Sequence, residues 1–181
     1  MLTISAFDIS NSDKLFFADE GSKFRAKVIS KIHKDNEENW VIIDLKKIHI
    51  TDASFNREAF IKLISSLSVE ITRPQILFTN VEEYVKQNMH QSFCYHNMFT
   101  VIKNEDQLIP IGKFSTQLYQ TIVVISEMKE GTAKEIALKL GKVELTTVNN
   151  RLKSLFEMCV ITRKEFGQQS GGKEFKYYLK T

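Results

Sequence analysis

The chain has 181 residues, 43% hydrophobic and 26% charged, values ordinary for a soluble globular protein of one domain or two small ones. Seven glycines and two prolines exclude a collagen-like or linker-like chain, and no apolar run approaches the ~18 residues of a membrane span. The formal net charge of +3 is unevenly shared: residues 1–109 carry 13 Lys/Arg against 15 Asp/Glu, and residues 110–181 carry 12 against 7. The basic character therefore belongs to the last part of the chain.

The N-terminus, MLTISAFDISNSDK, lacks a basic segment followed by an apolar core, and Cys94 and Cys159 form neither a CxxC motif nor a disulfide framework. The expectation is a cytoplasmic protein without a membrane partner. One glycine precedes residue 110 and six follow it. That break near Pro110-Ile111-Gly112 predicts two domains, 1–109 and 110–181.

In the first part, Leu2–Phe7 alternates and predicts a strand. Phe24, Val28, Ile29 and Ile32 are spaced as one face of a helix over 22–34. Trp40–Leu45 is a short β-branched run that predicts a buried strand. Phe55, Phe60, Leu63, Ile64 and Leu67 mark the next helix, with Thr51 or Asp52 as its cap. Gln75–Thr79 predicts a strand, and Asn80-Val-Glu-Glu83 a capping box for a helix through Phe93. Met98–Ile102 and Gln107–Ile111 predict a hairpin. The order β-α-β-α-β-α-β-β is that of an α/β sheet covered by helices. No GxGxxG or GxxxxGK[ST] is present, so no nucleotide-phosphate cradle is expected.

In the second part, Leu118, Ile122, Ile125 and Met128 share one face of a helix over 115–128, and Gly131 is placed to end it. Thr132-Ala-Lys-Glu135 is a capping box opening a short helix closed by Gly141. Lys142-Val-Glu144 connects to a helix over 145–158, with Val148, Leu152 and Leu155 inward. Val160–Phe166 and Lys173–Leu179 predict strands around a turn at Gly167–Gly172.

Two resemblances rest on these residues. Val41-Ile-Ile-Asp44, a short connection, then Ile50-Thr-Asp-Ala-Ser-Phe55 opening a helix, with Phe24-Arg25 before them, resembles the bacterial STAS-like domains related to anti-sigma-factor antagonists. That resemblance implies a mixed sheet with helices and a serine, here Ser54, phosphorylated by a partner kinase at the strand–helix junction. Ala53 stands where many relatives carry another serine, and Phe55 where they carry glycine. A phosphate at a helix N-terminus would face free N–H groups and the positive dipole end. Equally, Thr51, Asp52 and Ser54 serve as ordinary caps.

Ala133-Lys-Glu-Ile-Ala-Leu-Lys-Leu-Gly141, Thr146-Thr-Val-Asn-Asn-Arg-Leu152 and Leu155-Phe-Glu-Met-Cys-Val-Ile161 resemble the winged helix-turn-helix family, an α+β fold. The departures are an extra residue after Gly141 and Glu144 where Ser or Thr usually caps. The resemblance implies double-stranded DNA as partner; members of the family often form a homodimer to match paired half-sites, and the sequence offers no long extra helix as a dimer seam. With Val148 and Leu152 inward, Thr146, Asn149 and Asn150 are the candidate base readers, because asparagine pairs bidentately with adenine and threonine touches the thymine methyl. Lys142, Arg151 and Lys153 are candidate phosphate or base contacts, and Arg163, Lys164, Lys173 and Lys176 make a basic wing.

The expected function is a DNA-binding transcriptional regulator. Its STAS-like domain would dock a partner of the kinase/ATPase or sigma-regulatory type; the alternative is a phosphoswitch acting through Ser54. Lys23, Lys27, Lys31 and Lys34 form a stripe that reads as a phosphate-binding or simply solvated face. His90, Cys94 and His96 are too few for a zinc site. Asp44 and Asp52 lack a metal or base partner, and no Ser/His/Asp set has a nucleophile-elbow context. Neither catalysis nor a cofactor is expected.

Overall fold

The structure, a computed structural model, describes residues 1–34, 39–70, 73–105, 107–169 and 172–180. The chain is a mixed α/β protein. In order, its elements are β1 (Leu2–Ser5), α1 (Ala6–Ser10), β2 (Lys14–Leu15), α2 (Ala18–Lys34), β3 (Trp40–Asp44) and β4 (Ile50–Thr51). Then come α3 (Ala53–Asn56), a π-helical turn (Arg57–Ile61), α4 (Lys62–Leu67), β5 (Gln75–Thr79), α5 (Glu83–Tyr95), β6 (Phe99–Asn104) and β7 (Gln107–Gly112). The remainder is α6 (Thr116–Met128), β8 (Glu130–Thr132), α7 (Ala133–Lys139), α8 (Leu145–Glu157), β9 (Thr162–Gln169) and β10 (Gly172–Tyr178).

The main sheet has the order β1-β3-β5-β6-β7, parallel except for β7, which returns antiparallel beside β6. Pro110 is tolerated because β7 is an edge strand. Parallel crossovers are right-handed, and the strands are laid down in sequential order, so the intervening helices all fall on one face. There Ile4, Val41, Ile43, Ile76, Phe78 and Ile102 share a core with Phe24 and Val28 of α2, Phe60 of the π-helical turn, Leu63 of α4, and Met89 and Phe93 of α5. The alternate residues Leu77, Phe99 and Val101 point the other way, as the period of two requires. They join a second core with Ile122, Ile125, Ile136, Val148, Leu152 and Leu155 of α6, α7 and α8. One face of the sheet is thus covered by its own crossovers and the other by the C-terminal helices.

The C-terminal strands form a separate sheet of order β8-β10-β9. One backbone bond and one side-chain bridge tie this part to the foot of the main sheet. The Ile76 N–H donates to the Cys159 carbonyl at 2.7 Å. The fully buried Gln75 amide donates to the Lys180 carbonyl at 2.6 Å and accepts from its N–H at 2.9 Å, acting as one more rung of strand pairing.

Several differences from the sequence expectations have an identifiable physical cause. β1 stops at Ser5 because its hydroxyl accepts from Asp8 N–H and caps α1. The Asn80–Glu83 capping box does not form: Asn80 takes φ 53° and donates from its side chain to Asp44, so α5 begins at Glu83 with Glu82 in the cap position. The positive φ closing α6 falls on Lys129, at 63°, while Gly131 lies in β8. The closest atom a Cβ at 131 would meet is the flexible end of Met128, 2.8 Å away at Cε, so neither space nor backbone conformation demands glycine there. Gly167 continues β9, so the expected turn is shorter; Ser170 and Gly171, like Asp106 of the first hairpin, lie outside the described residues. No helix among the described residues is long and apolar enough to cross a membrane.

Candidate nucleic-acid interface

The candidate surface begins with the connection between α7 and α8. The capping box forms as expected: Glu135 N–H donates to the Thr132 hydroxyl, and the Glu135 carboxylate accepts the Thr132 backbone N–H at 2.7 Å and its hydroxyl at 2.9 Å. Those bonds hold the Glu135 carboxyl below the usual range. At the other end the helix closes with Gly141 N–H on the Leu138 carbonyl and Lys142 N–H on the Ala137 carbonyl. That is the Schellman pattern, with Gly141 at φ 87°. Lys142 follows at φ 64°, so two left-handed residues in succession turn the chain sharply into α8.

α8 packs through Val148, Leu152, Leu155 and Phe156, spaced i, i+4, i+7, i+8. Its other side leaves Thr146, Asn149, Asn150 and Lys153 exposed and Arg151 half-buried. Lys153 lies 3.9 Å from Glu157; Arg151 and Lys142 have no carboxylate within ion-pairing distance among the described residues. Glu144 caps the helix without a side-chain hydrogen bond.

The β9–β10 hairpin is more committed than its composition suggests. Arg163 is half-buried, its guanidinium between the rings of Phe156 at 4.3 Å and Phe175 at 4.1 Å. Arg73, from before β5, stacks on the same Phe156 ring at 4.8 Å. Lys176 is bonded to Glu130 at 3.0 Å, which raises its pKa, and lies over the Phe166 ring at 4.4 Å. Lys173 pairs with Glu165 at 3.0 Å. Lys164 is exposed with no such partner among the described residues. Of the four wing cations, Lys164 is thus the least engaged.

Lys139, also exposed and unpaired among the described residues, was not picked out from sequence. Its spacing of three from Lys142 across the helix-closing glycine was the available signal.

At the strand–helix junction of the N-terminal part, Asp52 caps α3. Its Oδ1 accepts from Phe55 N–H at 2.6 Å and from the Ser54 hydroxyl at 2.9 Å, and its Oδ2 from Phe17 N–H at 3.1 Å. Partial burial works against the charged form, but these bonds outweigh it and hold the carboxyl below its ordinary value. Ser54 is half-buried and lines a groove of about 470 Å³ with Arg57, Gln91 and Tyr95.

The remaining candidates disperse. Asp44 accepts from Lys46 N–H and Asn80, apart from Asp52's partners. His90 Nδ1 accepts from Gly112 N–H at 3.2 Å, its Nε2 lies 3.5 Å from Cys94 Sγ, and His96 packs on Tyr95. No cluster of three or more His, Cys, Asp or Glu suited to a metal occurs among the described residues. In the lysine stripe, Lys23 pairs with Glu20 at 2.7 Å, Lys27 donates to the Ile9 carbonyl at 3.0 Å, and Lys31 and Lys34 are exposed. Compared with known protein families and with curated proteins, the chain matches none.

Proposed function

We propose that the chain is a DNA-binding transcriptional regulator in which α6–α8 and the β9–β10 hairpin form a winged helix-turn-helix and the N-terminal part is a STAS-like docking domain. The observation that carries this reading is the outer face of α8. Thr146, Asn149 and Asn150 stand exposed there, beside Lys142 in the preceding turn, which has no carboxylate partner among the described residues. A helix entering the major groove presents its N-terminal residues to base edges. Asparagine and threonine there supply donors, acceptors and a methyl contact for A·T pairs. Lys142, Lys139, Arg151 and Lys164 are placed to neutralise phosphates, and the resulting counterion release makes binding weaken steeply with salt. Arg163 contributes by holding the hairpin against Phe156, and DNA contact is left to Lys164.

The test is fluorescence anisotropy of the full chain on sequences selected from a random duplex pool, titrated with salt. Arg151→Ala and Lys142→Ala are expected to lower the salt slope by about one each, uniformly across sequences. Asn150→Ala is expected to cost about 1–3 kcal/mol on the selected site and to relax its sequence preference. A triple Asn149→Ala/Asn150→Ala/Arg151→Ala variant that binds like wild type would overturn the reading.

A second reading, a phosphoswitch through Ser54, draws on the Asp52 bonds. A phosphate on Ser54 Oγ would remove the 2.9 Å bond to Asp52 and set two anions side by side. Repulsion would then loosen Asp52 from Phe17 and Phe55. Phosphorylation found by mass spectrometry, with Ser54→Ala abolishing a partner's co-purification, supports it; an unmodified Ser54 and an indifferent Ser54→Ala dispose of it.

A further inference from the structure

On the N-terminal part, away from α8, α1 and α2 and the segment between them line a half-open cavity of about 330 Å³. That is within the size range of small-molecule sites, which are concave and mostly apolar with a few polar groups. Phe24 and Phe55, both almost fully buried and in edge-to-face contact at 5.6 Å, belong to its lining. Ile9 and Leu15 add aliphatic wall, and Phe16 and Phe17 complete the aromatic side.

Phe17 is the unusual member. It has φ 70°, a left-handed conformation that a bulky side chain rarely adopts. It gains no burial by it, since the side chain is 69% exposed. Its backbone N–H is held by Asp52 Oδ2, so the local bonding maintains a backbone that presents an aromatic ring to solvent. Strained residues of this kind persist where the surroundings over-determine them, and they cluster at ligand clamps.

The charges around the cavity are unbalanced. Lys14, Lys23 and Lys27 line it against the single carboxylate of Glu20. Glu20 is taken by Lys23, and Lys27 donates to a neutral carbonyl. Lys14 has no carboxylate partner among the described residues.

We infer that this cavity binds a small amphipathic anion, an organic acid with an aromatic or apolar body: the body against Phe16 and Phe17, over a floor backed by Phe24 and Phe55, the acid head toward Lys14 and Lys27. The site is independent of the DNA reading and stands or falls separately from it.

The probe is 8-anilinonaphthalene-1-sulfonate, with N-phenyl-1-naphthylamine as its uncharged counterpart, titrated into the folded full chain and followed by emission and by amide chemical shifts. The expected result is one saturable site whose shifts centre on residues 9–27 and 55. Lys14→Glu combined with Lys27→Gln is expected to weaken the sulfonate at least tenfold and leave the neutral probe within twofold. Phe17→Ser is expected to weaken both. Thermal melts of each variant establish that the fold is intact, and Lys31→Gln, outside the cavity, serves where a lysine change must be neutral. Absence of saturable binding, shifts centred elsewhere, or equal sulfonate affinity in the Lys14/Lys27 variant would overturn the assignment.

Discussion

At the scale of single residues, hydrogen bonds and burial explain more here than formal charge does. Asp52 satisfies three donors from two segments and so ties the 15–17 loop to the start of α3. Replacing it by alanine is expected to cost about 1–2 kcal/mol at neutral pH, the upper range for a lost N-cap. Because the folded carboxyl is held below its ordinary value, its stabilisation is complete above an unfolded pKa of about 3.9 and is lost as pH falls through the folded value. Urea melts of wild type and Asp52→Ala should therefore converge in acid.

The two thiols are separable in the same way. Cys159 is fully buried at φ 56°, and burial pushes its pKa up to about 12. Cys94 is half-buried. A thiol reagent should label Cys94 alone in the native chain, and Cys94→Ser should abolish native-state labelling; early labelling of Cys159 would contradict the packing.

At the scale of elements, the caps and apolar stripes were readable in advance because they depend on near neighbours. The Thr132–Glu135 box and the Val148/Leu152/Leu155 stripe need only helical geometry. Thr132→Ala is expected to cost about 1 kcal/mol by thermal or urea unfolding. The failures were at positions with a distant competitor. Asn80 left its capping box because Asp44, on a neighbouring strand, takes its amide. The strand β8 is only three residues long and exists through pairing with β10, more than forty residues away. Arg163 is a different case: it reads as a wing cation from sequence, and in three dimensions the half-buried side chain also lies against the rings of Phe156 and Phe175. Arg163→Ala is accordingly expected to destabilise the chain, by removing two ring contacts at once, more than Lys164→Ala does. If Lys164 contacts DNA and Arg163 does not, the salt slope should respond to Lys164→Ala.

At the scale of the whole molecule, the main sheet is exposed on one side by its own topology. Sequential right-handed crossovers leave the face of Leu77, Phe99 and Val101 without helices of its own. The C-terminal helices supply the cover, and Gln75 fastens the end of the chain to the sheet. The chain should unfold in one calorimetric transition, and residues 1–112 alone should be poorly soluble because that face would be bare. Gln75→Ala is expected to lower stability by about 1–3 kcal/mol, from loss of a buried amide pairing two backbone groups. Two separate transitions in the intact chain would contradict a shared core.

The order of the longer strands and helices, the apolar faces of the helices, the Thr132 cap and the polar outer side of α8 follow from the amino-acid order itself, because each is set by spacing along a helix or strand; the short elements α1, β2 and β4 do not. The sharing of a core across the composition break at residue 110, the ring contacts of Arg163, the β8 strand and the cavity beneath Phe17 were decided only in three dimensions. Each depends on groups far apart in the chain meeting at a few ångströms, and no local periodicity encodes that distance.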